Sequence, residues 1–249
     1  MLLENKTAVI YGGGGTIGGA MARAFAAEGA RVFLAGRTPA TLDAVAEDIR
    51  GAGGLAETAV VDALDEGAVN GWVDSVADLA GGVDISVNVI TQDSIFKPMA
   101  EMRVEEFTAA LAKAARSYLL TYQAAARHMV KQNSGVILNF GGSDRTNSEP
   151  GLGTVQVACD MIEGMRRQWA CELGPHGIRV VTMKTGGVLE SFPDLPEMEP
   201  IKQKMIDATL LKRAASLQDV GRVAAFLASD HAASITSTEI NITAGALVD

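Results

Sequence analysis

The segment Thr7 to Ala30, TAVIYGGGGTIGGAMARAFAAEGA, constrains the fold more than any other part of the chain. Ala8, Val9 and Ile10 make a short apolar run of the kind that fills a buried strand. Four glycines follow, Gly12 to Gly15, and then a helix is predicted from about Ile17 to Glu28. Ala20, Ala24 and Ala27 give that helix a small-residue face that can lie close to a sheet. Glycine permits a sharp strand-to-helix turn and lets a ligand approach the backbone without Cβ interference. The helix start then offers unpaired N–H groups and a positive dipole end, which suits a pyrophosphate. Gly13, Gly15 and Gly18 satisfy G-x-G-x-x-G, with strand and helix where that motif requires them. A merely flexible glycine loop is the competing reading, and both flanks argue against it. Gly12, Gly14, Gly15, Thr16, Ile17 and Gly18 are therefore the candidate phosphate-binding residues.

Strands and helices alternate through the rest of the chain. Arg31 to Ala35 reads as a strand stopped by Gly36, and Thr38-Pro39 opens a helix to about Arg50. Further strands are expected at Ala59 to Val61, Val83 to Ile90, Val136 to Phe140, Arg179 to Met183 and Glu239 to Thr243. Helices are expected at Glu66 to Leu79, Val104 to Lys131, Gly153 to Leu173 and Gln218 to Ala228. Such alternation implies a parallel sheet with helices on both faces, a doubly wound, Rossmann-type α/β/α fold. A chain of 249 residues suits one such domain, spanning 1–249.

The least regular stretch is Gly186 to Pro200, where Pro193, Pro196 and Pro200 forbid a continuous helix. It follows a strand at the edge where open parallel sheets bind ligands. Two readings stand side by side: a lid over 186–210, with Leu189, Phe192 and Leu195 facing an apolar substrate, or a structural insertion or oligomer contact.

Charge and composition exclude several classes. A net charge of −9 argues against a nucleic-acid groove or an anionic membrane surface. Apolar residues make up 48% of the chain, yet no run approaches the roughly 18 needed to cross a bilayer. MLLENKTAVI lacks a basic region followed by a long apolar run, so no signal peptide is expected. Cys159 and Cys171 fall on one expected helix, about 18 Å apart along its axis. A disulfide needs Cα atoms within about 7 Å, so both thiols should be free, as in a cytoplasmic protein.

Several further matches occur in order: the turn Gly12 to Gly18, Asp62 after the third strand, Asn88 in the fourth, ELGPHGIRV at Glu172 to Val180, FLASD at Phe226 to Asp230, and INITAGAL at Ile240 to Leu247. Together they resemble the short-chain dehydrogenase/reductase family over nearly the whole chain. The resemblance implies a nicotinamide cofactor, with Asp62 and Ala63 beside the adenine and Asn88 and Ile90 near the adenosine ribose. NAD-preferring folds place a carboxylate at the end of the second strand. This chain has Gly36 followed by Arg37, whose guanidinium suits a 2′-phosphate, so NADP(H) is expected over NAD. An Arg37 that only faces water is the alternative.

The resemblance breaks at the chemistry. The family uses a tyrosine acid, a lysine four residues on, an upstream serine and an asparagine on the preceding helix. Register through Met161 to Val180 puts Val155 at the tyrosine and Cys159 at the lysine position. Gly142 falls at the serine position and Ala114 at the asparagine position. Tyrosine occurs only at Tyr11, Tyr118 and Tyr122, none of them in that helix. The neighbouring turns are altered to Val89-Ile90-Thr91 and Thr185-Gly186.

Replacement groups are few. Ser143 and Gln156 are the weak catalytic candidates; Asp144, Arg145 and Asp160 are polar neighbours whose ordinary role is solvation or ion pairing. Cys159 reads most simply as a small core residue. His128, His176 and His231 have no metal-ligand spacing, so no metal is expected. Two functions follow: an NADP(H)-dependent oxidoreductase acting by a non-standard mechanism on a small carbonyl, alcohol or activated C=C or C=N substrate, and a non-catalytic NADP(H)-binding subunit. A cofactor-free lyase, dehalogenase or isomerase is a third. The resemblance also implies a homo-oligomer, tetramer or dimer, through the two long helices.

Overall fold

The computed structural model describes residues 1–90, 94–141 and 150–248. The chain runs β1 (Thr7–Tyr11), α1 (Thr16–Ala27), β2 (Arg31–Gly36), α2 (Pro39–Gly51), β3 (Leu55–Val60), α3 (Glu66–Ala80) and β4 (Ile85–Asn88). It continues through α4 (Val104–Gln132), β5 (Gly135–Gly141), α5 (Gly153–Leu173), β6 (Ile178–Lys184), α6 (Glu199–Asp207), α7 (Leu217–Ala228) and β7 (Thr238–Asn241). The strands form one seven-stranded sheet in the order β3-β2-β1-β4-β5-β6-β7. Every neighbouring pair is parallel. This is the doubly wound Rossmann-type fold read from the sequence.

The core is in two slabs because a parallel sheet buries both faces. Ile10, Val32, Leu34 and Val87 meet Met21 and Phe25 of α1, Leu42 and Ile49 of α2, and Val220 of α7. On the opposite face Val9, Phe33, Ile137 and Val180 meet Val73 of α3, Tyr122 and Met129 of α4, and Ile162 of α5. Helix ends are fixed by local chemistry. The Asp65 side chain accepts the Ala68 N–H at 3.0 Å before α3, and Ser216 and Asp219 form a reciprocal capping box before α7.

One local expectation is corrected. The third strand lies at Leu55–Val60, not Ala59 to Val61. It is an edge strand, and the polar Glu57 and Thr58 in its middle dilute the apolar signal. Within the proline-rich stretch, short 3₁₀ turns at Leu189–Ser191 and Pro196–Met198 lead into α6. Pro200 sits in the first turn of α6, where its missing N–H costs nothing. Cys159 and Cys171 are both free, the first buried and the second exposed.

Candidate functional site

The glycine turn is held by its own backbone. Gly12 takes φ +79°, a conformation that favours glycine. The N–H groups of Gly12 and Gly13 both donate to the Ala35 carbonyl, at 2.8 and 3.1 Å, and Gly15 N–H donates to Gly12 O at 3.0 Å. A Cβ at Gly14 would stand 2.5 Å from Thr41 Oγ1, and one at Gly18 would overlap the Gly12 carbonyl. Gly18 therefore lets α1 press onto the turn. Gly15 caps α1 without a side-chain hydrogen bond, and the first turn carries no acidic residue. Thr16, Ile17 and Gly18 thus head a helix whose leading N–H groups have no intrahelical acceptor, donors of the kind that suit an anion.

In front of the turn lies a cleft of about 410 Å³. It sits at the carboxyl ends of β1 and β4, where helices diverge to opposite faces of the sheet. Gly12, Gly14 and Gly15 line one wall, with Arg37 and Thr38 at the rim. Asp62, Ala63, Leu64 and Ile90 line the next wall, and Lys113, Ala114, Ser117 and Tyr118 of α4 close the far side. Arg37 is exposed at this rim.

Asn88 acts from beneath. Its side chain is buried, donates to Thr121 Oγ1 at 3.1 Å and accepts the Ile90 N–H at 3.0 Å. It thereby fixes the loop that presents Ile90. Arg116 of α4 donates to the Leu64 carbonyl at 2.8 Å, pinning the loop with Ala63 from the other side.

Tyr11 was not singled out as a site residue, yet it reaches the cleft from the end of β1. Its ring packs edge-on against Trp72, with centroids 5.1 Å apart. Its hydroxyl is buried without a hydrogen-bond partner among the described residues. Burial pushes the phenol far above its ordinary range, so it is neutral and can only donate or accept a hydrogen bond. Lys113 was missed as well. Its signal was the i, i+4 repeat of Lys113 and Ser117 on an otherwise alanine-rich helix, now seen on the cleft wall.

The positions singled out for chemistry are more scattered. Ala114 is buried at the cleft wall, Val155 and Gln156 are half-buried in the first turn of α5, and Cys159 is buried one turn on. Asp160 is exposed. Thr91, Gly142, Ser143, Asp144 and Arg145 lie outside the described residues. Tyr118 points its hydroxyl to the Phe140 carbonyl at 3.4 Å, and Tyr122 donates to Asn139. His128 meets Asp74 at 2.7 Å, and among the described residues no three His, Cys, Asp or Glu side chains gather to hold a metal ion.

A sequence model described as enoyl-(acyl carrier protein) reductase matches residues 14–246. The chain belongs to the short-chain dehydrogenase/reductase family. Among relatives, a 3-oxoacyl-(acyl-carrier-protein) reductase of Thermotoga maritima is 28% identical over 254 residues, covering 100% of both chains. An L-xylulose reductase of Bos taurus is 29% identical over 250 residues, 98% of each. A solved short-chain type dehydrogenase/reductase from Mycobacterium marinum superposes with a TM-score of 0.89 at 28% identity, covering 99% of this chain and 97% of its own. A solved NAD+-bound xylitol dehydrogenase shares the fold, with a TM-score of 0.88 at 24% identity, over 98% of this chain and 100% of its own. The cleft lies at the switch in strand order between β1 and β4, where open parallel sheets bind ligands. Among the described residues no helix is long and apolar enough to cross a membrane.

Proposed function

We propose that this chain is an NADP(H)-dependent oxidoreductase that reduces a small, apolar carbonyl or activated C=C or C=N compound without the family's tyrosine–lysine pair. The observation that carries the reading is the glycine turn heading α1, with an arginine and no carboxylate at the end of β2. The local chemistry fits a dinucleotide. Gly12, Gly14 and Gly15 line the cleft beside a helix start that carries no acidic residue, and a Cβ at Gly14 would run into Thr41 of α2. Gly12 to Gly15 and the first turn of α1 would hold the pyrophosphate, Arg37 the 2′-phosphate, and Asp62 to Leu64 with Ile90 the adenosine. When bound, the nicotinamide supplies a hydride donor or acceptor.

The chain's own contribution is to bind, orient and exclude water. Val155 has no proton to give, and tyrosine in this sequence stands only on β1 and α4. An enone or imine needs less acid assistance than a ketone, so an activated acceptor suits the site. Exposed Leu195, Ile201 and Leu210 give the 186–210 segment an apolar surface, which suits a cover for an apolar substrate. Assembly into a homo-oligomer through α4 and α5 belongs to the same proposal.

Calorimetric titration of the purified protein with NADPH and NADH, followed by a panel of ketones, enones and imines, tests this reading. NADPH binding with turnover of at least one acceptor is expected. Failure to bind either nucleotide would overturn it. Binding without turnover would make the chain a non-catalytic NADP(H)-binding subunit.

A further inference from the structure

The wall that α4 gives to the cleft carries one charged side chain, Lys113, and the contacts around it fix where that residue stands. Three residues on, Arg116 donates to the Leu64 carbonyl at 2.8 Å, which ties this stripe of the helix to the loop after β3. Four residues on, Ser117 accepts from the Asn88 amide at 3.4 Å, and Asn88 in turn accepts the Ile90 N–H at 3.0 Å. Residues three and four apart on a helix are neighbours on one face. Lys113 therefore stands one turn before both contacts, between the loop of Asp62 to Leu64 and the loop of Ile90. Helical side chains lean towards the N-terminus of their helix, and α4 starts from the carboxyl edge of the sheet. The lysine thus leans towards the mouth of the cleft, with Ser117 and Tyr118 a turn deeper.

The setting of this charge is unusual for a helix lysine. At helical spacing from Lys113 stand Ala109, Ala110, Arg116 and Ser117, so its own helix offers no acidic residue for an ion pair. Lys113 is half-buried, and the buried Ala114 beside it presents only a methyl group to the cleft. A flat ring can lie against such a surface. Among the described residues three charged side chains line the cleft, Arg37, Asp62 and Lys113. Arg37 is at the rim, which leaves Asp62 and Lys113 as the charged pair of the inner walls. Asp62 Oδ1 accepts the Leu64 N–H at 3.0 Å, and this bond sets the orientation of the carboxylate. An ionised carboxylate can only accept hydrogen bonds, and an ammonium can only donate them.

An acceptor and a donor on adjoining walls match one edge of adenine. Its exocyclic amine is a donor, and the ring nitrogens on either side of that amine are acceptors. Guanine has an oxygen in place of the amine, which a carboxylate repels.

We infer that Lys113 reads the base of the nucleotide: its ammonium donates to a ring nitrogen next to the adenine amine, while the amine faces Asp62. The inference rests on the nucleotide-binding reading above and extends it from the phosphates to the base. Lys113 is a specificity-determining residue, and no bond is made or broken at it. A flexible four-carbon stem ending in three rotatable donors suits the task.

Calorimetry with NADPH and two analogues tests this, each analogue having C–H in place of one ring nitrogen adjacent to the amine. In the wild type one analogue should bind about tenfold or more weakly than NADPH, the usual effect of losing a hydrogen bond to a charged group. Lys113→Met should weaken NADPH by the same factor and bind NADPH and that analogue equally. The ratio of two dissociation constants within one variant does not depend on how much of the sample is folded. If Lys113→Met weakens all three nucleotides alike, the lysine serves a phosphate and the assignment is overturned. Wild-type affinities in Lys113→Met overturn it too. A wild type that binds NADPH and both analogues equally overturns the assignment and leaves the nucleotide reading standing. A wild type that binds neither NADPH nor NADH overturns both.

Discussion

A methyl group placed on Gly18 would overlap the carbonyl oxygen of Gly12, six residues earlier in the same turn. The cleft's shape depends on this closeness, because α1 presents its N-terminus to a ligand only when pressed onto the turn. Gly18→Ala gains up to about 1 kcal/mol of helix propensity and loses more to the clash. A net destabilisation of about 1–3 kcal/mol is expected, read as a lower denaturation midpoint, together with weaker nucleotide binding.

Arg37 stands exposed at the rim where β2 ends. If it holds the 2′-phosphate, Arg37→Ala should weaken NADPH binding by about 1.5–3 kcal/mol, the usual worth of a charge-assisted hydrogen bond. NADH affinity should be unchanged. Equal loss for both nucleotides in calorimetry would assign Arg37 a general electrostatic role instead.

The Tyr11 hydroxyl is buried beside the cleft with no partner among the described residues. Tyr11→Phe removes that uncompensated group at nearly constant volume, so the free protein should become more stable, by about 1–3 kcal/mol. Equilibrium unfolding in urea without nucleotide measures this. A less stable variant would mean that the hydroxyl already has a partner.

Asp219 is held below the usual carboxylate range, first by the Ser216 backbone N–H and then by Arg213. A group lowered in the folded state stabilises it above the unfolded value of about 3.9 and loses that contribution as pH falls through the folded value. Asp219→Asn should therefore flatten the acid limb of the stability curve below about pH 4. Ser216→Ala, which removes the other half of the capping box, should cost about 1 kcal/mol at neutral pH. Thermal melts across that range check both.

The sheet, its helices and the glycine turn were legible because each rests on a local signal: a buried apolar run, a 3.6-residue stripe, a glycine at a fixed offset. Edge strand β3 was misplaced because the polar Glu57 and Thr58 interrupt its apolar run. Helix α6 was hidden by Pro193, Pro196 and Pro200, although Pro200 is tolerated in its first turn. Tyr11 went unread because a tyrosine ending an apolar strand looks like core. The Glu163–Arg166 and Lys184–Glu239 ion pairs were invisible for a different reason. Their members come from three elements, and a lone charge in a sequence is read as surface until packing buries it beside another.

The two halves of the cleft meet along only a short seam, the four parallel pairs Ala8↔Ile85 to Tyr11↔Asn88. The residues proposed to grip a nucleotide, Gly12 to Gly15, Arg37 and Asp62 to Leu64, are encoded before β4, and Ile90 and the α4 wall after it. If the chain is the reductase proposed, recognition and reactivity are separate inheritances in it. One can drift, or be rewritten wholesale, while the other stays in working order.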